Sequence, residues 1–86
     1  MPQLCVTSFS YGPHYWLLDM DMDCSKTEQG VFEFKGLVNG QWEGTIYNNQ
    51  CEGAEPLPFA STNHVATCGA VNVFHWNEGR CQTYEL

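Results

Sequence analysis

Hydrophobic and polar residues alternate along most of this chain, the period of strands rather than helices. "LCVTSFS" at 4–10 alternates imperfectly and runs into Tyr11-Gly12-Pro13, a turn signal. "HYWLLDMDMD" follows; if extended, it puts Leu18, Met20, Met22 and Cys24 on one face and Asp19, Asp21 and Asp23 on the other. "CSKTEQG" is the best helical window and is too short to stand without tertiary support. "VFEFKGLV" and "QWEGTIY" flank Asn39-Gly40, the strongest short-range hairpin signal. A two-residue turn there pairs Leu37 with Trp42 on one face, and sets Phe34 against Thr45 and Phe32 against Tyr47 on the other. Residues 48–62, "NNQCEGAEPLPFAST", have no usable period and predict a long loop. "HVATCG", "VNVFHW" and "RCQTYEL" resume the extended pattern, with "NEG" as the last turn.

Five to seven short strands of this kind predict one all-β domain over residues 1–86, a small antiparallel sandwich or barrel. Gly36, Gly40, Gly44 and Gly53 suggest a glycine-rich hairpin repeat, but one copy falls short of the three or so units such architectures need. With 86 residues the domain buries only roughly 60–65% of its unfolded surface. The twelve aromatic rings are sufficient for a core, at about 150–250 Å² buried by each.

Charge narrows the function. Ten acids against Lys26, Lys35 and Arg80 give a net charge of −7, which disfavours direct binding to nucleic acid or an anionic membrane and favours a basic partner. No apolar run reaches the length of a membrane span. No basic segment precedes an apolar one at the N-terminus, and five cysteines without a Cys-x-x-Cys fit reduced thiols, so the expected setting is cytoplasmic. The rival is a secreted protein with two disulfides, for which fifteen pairings exist.

The Asp row is the first candidate site. Three carboxylates about 6.6–6.8 Å apart along a strand cannot all reach one Ca²⁺ at about 2.3–2.6 Å. A calcium loop counted from Asp19 needs Gly at its sixth position and Glu at its twelfth, where Cys24 and Gly30 stand. Neighbouring acids at this spacing repel by about 0.6 kcal/mol in water and about 2.4 kcal/mol at a dielectric near 20, so the row belongs in water or against Lys and Arg. Since Asp is depleted in strands, its repetition suits an edge strand or a contact surface. A polyanion mimic is a narrower form of the same idea.

The expected function is therefore a non-enzymatic binding protein of inhibitor, immunity or regulatory type, acting through Asp19, Asp21 and Asp23 with help from Trp42, Tyr47 and the 48–62 loop. Gly-x-Ser-x-Gly, Gly-x-Gly-x-x-Gly and Walker A patterns are absent, and no cofactor is expected. Two alternatives stand beside it. Trp42 and Tyr47, set among Asn, Gln and Gly, suit a small-molecule or carbohydrate site together with the 48–62 loop. His75 and Cys81, opposite each other if the last turn is Asn-Glu-Gly, suit a metal, although zinc usually takes three or four protein ligands.

Overall fold

The computed structural model describes Asp19 and residues 21–86. The strand expected at 4–10, its following turn, and Trp16, Leu18 and Met20 lie outside the described residues. Among the described residues there are six short strands: β1 (Val31–Phe34), β2 (Leu37–Val38), β3 (Gln41–Trp42), β4 (His64–Thr67), β5 (Ala70–Phe74) and β6 (Cys81–Glu85). All pairings between them are antiparallel, and they group as three two-stranded sheets, β1–β4, β2–β3 and β5–β6. The all-β expectation and its strand number hold. Among the described residues the one helical element is a 3₁₀ turn at Cys24–Lys26, within the window the sequence marked.

The Asn39-Gly40 hairpin forms as read. Leu37 faces Trp42 and Val38 faces Gln41, with positive φ at Asn39 (49°) and Gly40 (78°), as the right-handed strand twist demands of a two-residue turn. It stops after two residue pairs. Phe34 and Phe32 do not meet Thr45 and Tyr47; β1 instead pairs with β4, Phe34 opposite His64 and Phe32 opposite Ala66.

The cause sits at Glu43. Its N–H still donates to the Gly36 carbonyl at 2.9 Å. The Gly36 N–H donates at 2.7 Å to the Glu43 carboxylate, taking the place of the second main-chain bond a continuing ladder would make. Beyond it, Gly44 N donates to Asn77 Oδ1 and Ile46 N to the Thr62 carbonyl, so the chain turns into the interior.

The core is small: Ile46 (1% exposed), Val65, Ala66 and the Cys51–Cys81 disulfide. Beside it Phe34, His64 and Phe74 make an aromatic cluster with centroids 4.7–5.2 Å apart. A second disulfide joins Cys24, the first residue of the 3₁₀ turn, to Cys68 in the β4–β5 turn, with Cα atoms 5.7 Å apart. These pairs correct the reduced-thiol expectation, because partners 44 and 30 residues apart become neighbours only when the strands assemble. Cys5 lies outside the described residues.

The 48–62 loop is long, as expected, and well tied. The Asn49 side-chain amide donates to the Ser61 and Asn63 carbonyls, and Gln50 clasps Glu55 O and Leu57 N. Glu52 adds a parallel bridge to Gln82 at the edge of β6.

Candidate functional site

Asp19, Asp21 and Asp23 are all exposed, and Met22 between the last two is half-buried, so the alternation of wet and apolar positions survives there. Their backbone is not in a sheet: Asp19 and residues 21–23 belong to no strand. Asp23 is extended (φ −77°, ψ 102°) and caps the 3₁₀ turn, accepting from Ser25 N at 3.0 Å and Ser25 Oγ at 2.6 Å. A carboxylate that takes two local donors starts a turn, which is why the extended run ends at this residue. The Ser25 hydroxyl, and after it the Ser25 amide, hold the Asp23 carboxyl below its ordinary range, so it stays charged in mildly acidic solution.

Asp23 also borders a groove of about 400 Å³ between the 3₁₀ turn, β1 and the long loop. Met22, Phe32 and Phe59 supply its apolar surface, and Asp23, Glu28 and Glu33 supply carboxylates, with Lys26 the single cation. Glu33 accepts from Ser61 Oγ and from Asn63 Nδ2, both neutral groups. Among the described residues the carboxylates that pair with a cationic side chain or His are Glu43 and Glu78; none of the groove acids does so.

Trp42 (53% exposed) and Tyr47 (71%) both face solvent, Trp42 beside its cross-strand neighbour Leu37. Trp76, also exposed, lies so close over Gly36 that a Cβ there would meet its ring at 2.8 Å. Leu37, Trp42 and Trp76 thus cluster around the β2–β3 hairpin. Tyr47 is five residues beyond Trp42, on the strandless segment after Glu43.

The sequence reading missed a buried polar group, Glu43 with His64. Glu43 and His64 are 4% and 2% exposed, and His64 Nε2 lies 2.7 Å from Glu43 Oε2. With the carboxylate ionised, Nε2 is the donor, and among the described residues the buried Nδ1 has no partner. Glu43 also accepts from the backbone N–H of Gly36 and, at 2.8 Å, of Asn77. Two segments distant in sequence, at His64 and Asn77, therefore converge with nearby Gly36 on one side chain. Glu43 sits in "QWEGT" and His64 opens "HVAT", 21 residues apart, and no local spacing links them.

The metal alternative is corrected. Cys81 is bonded to Cys51 and has no thiolate to offer. The last hairpin pairs Phe74 with Cys81, so the connection is 75–80 rather than Asn-Glu-Gly, and His75 has no strand partner. Its Nδ1 lies 3.4 Å from Arg80 Nη2 instead. Among the described residues no three His, Cys, Asp or Glu side chains converge as a metal site.

No protein-family model matches the chain, and neither a curated protein nor a solved structure is significantly similar to it.

Proposed function

We propose that this chain is a small acidic binding protein, of inhibitor, immunity or regulatory type, that engages a basic macromolecular partner through Asp19, Asp21 and Asp23. The observation that carries this reading is the exposure of all three carboxylates in a chain of net charge −7. Opposite-charge steering raises association rates and fixes orientation more than it adds affinity, so binding should weaken as salt shortens the Debye length below about 8–10 Å. Exposed Trp42 and Tyr47 are of the types that anchor protein interfaces. The two disulfides support work in an oxidising compartment.

The test is capture of basic proteins from native lysate or culture fluid at low and high salt, repeated with D19N/D21N/D23N. Salt-elutable capture by the native chain, lost in the triple variant, is the expected result. Capture that persists unchanged in the variant would end the proposal.

A second reading has the exposure of Trp42 and Tyr47 in its favour: a small-molecule or carbohydrate module that stacks its ligand on those rings. It differs in one measurable respect, since its binding would be indifferent to salt and would vanish in Trp42→Ala.

A further inference from the structure

The groove bounded by Met22, Phe32 and Phe59 combines apolar walls with uncompensated acid. Its volume, about 400 Å³, falls near the lower end of the roughly 300–1,000 Å³ of ordinary ligand sites. Its walls come from three separately fastened parts of the chain. The turn that carries Asp23 and Lys26 is held by the Cys24–Cys68 disulfide. Phe32 and Glu33 lie on β1, whose partner β4 is buried over three of its four residues. Phe59 hangs from the long loop just beyond Leu57, where Gln50 takes the backbone N–H. A groove built this way is formed before a ligand arrives, which spares the ordering cost of assembling it.

Charge selects the occupant. Three carboxylates against Lys26 leave the rim at −2, so an anionic or neutral apolar ligand would face unbalanced acid, whereas a cation would relieve it. The apolar floor calls for more than a cation, because an ammonium alone leaves Met22, Phe32 and Phe59 in water. Asp19 and Asp21 continue the acidic surface along the chain from Asp23, and such a track suits a polymer rather than a small amine. From these features we infer that the groove receives a single apolar side chain of a basic peptide segment, with Lys or Arg on both sides of it lying against the Asp23, Glu28 and Glu33 carboxylates. This rests on the basic-partner reading and adds to it a place of insertion and a sequence preference.

The test uses the oxidised protein and two synthetic peptides, Lys-Lys-Phe-Lys-Lys and its analogue with Ser at the centre, titrated at low ionic strength and followed by backbone amide NMR. The expected result is about tenfold tighter binding of the Phe peptide, the effect of burying one aromatic side chain. The amide signals of Thr27, Phe32 and Phe59 should shift with it. Phe59→Ala should erase the difference between the peptides. Glu28→Lys, at an exposed position outside the core, should weaken both. Equal affinities, with shifts confined to Asp19–Asp23, would overturn the groove while leaving the basic-partner reading intact. Binding of neither peptide would overturn it as well, and the triple-Asn capture experiment then judges the broader reading separately.

Discussion

Glu43 joins three separate parts of the described fold. Its carboxylate accepts from Gly36 N, Asn77 N and His64 Nε2 at 2.7–2.8 Å, so the β1–β2 link, β4 and the 75–80 connection depend on one buried side chain. Removing it leaves three buried donors without their acceptor, at a combined cost of about 3 kcal/mol or more. Glu43→Ala should therefore lose that much in chemical denaturation, a large share of the stability of any small domain. Glu43→Gln keeps an acceptor and the shape, and should lose distinctly less. Loss of under about 1 kcal/mol in the Ala variant would mean that the three donors find water or other partners. Nothing in "QWEGT" marks this role, since a Glu next to a hairpin strand reads as a solvated charge until the fold closes over it.

At the level of elements, the strands were legible and several of their partners were not. Asn39-Gly40 sets its hairpin by local φ alone, and Leu37 faces Trp42 as pattern and turn require. The partner of β1 depends on where the hairpin ends, and that is decided by a side chain, not by alternation. A similar substitution separates β4 from β5. The Asn72 amide accepts from Thr67 N at 3.0 Å and donates to Thr67 O at 2.9 Å, occupying both backbone groups of the last β4 residue. Asn72→Ala should cost about 1–3 kcal/mol, the penalty for stranding such groups, and speed hydrogen exchange at the Thr67 amide while β5–β6 amides stay protected. Uniform loss of protection across all three sheets would show that Asn72 supports the whole domain instead. The Asp row illustrates the same limit. Alternation foretold which side of Asp23 is wet, but the Ser25 cap that ends the run is a local competitor which periodicity does not register.

Among the described residues few side chains are buried, and covalent links compensate. Small domains commonly need such staples, because their cores are too limited to outweigh chain entropy. Loops of 44 and 30 residues closed by Cys24–Cys68 and Cys51–Cys81 each contribute about 4 kcal/mol in the chain-entropy model. Non-reducing peptide mapping should recover these two linkages. Reduction, or Cys51→Ser with Cys81→Ser, should lower the Tm markedly; an unchanged Tm would mean that the side-chain network holds the core alone. Cys51–Cys81 is the inner link, bridging the long loop to β6 beside Ile46, whereas Cys24–Cys68 fastens the acidic turn at the surface.

The sequence by itself determined the strand character, the Asn-Gly turn, the long loop and the acidic balance, because each follows from near neighbours or from composition. Tertiary structure alone decided the cysteine partners, the pairing of β1 with β4, the burial of Glu43 with His64, and the groove beside Asp23. Each of these joins residues 20 or more positions apart, or depends on a side chain displacing a main-chain hydrogen bond, and one chain's local pattern holds no record of either.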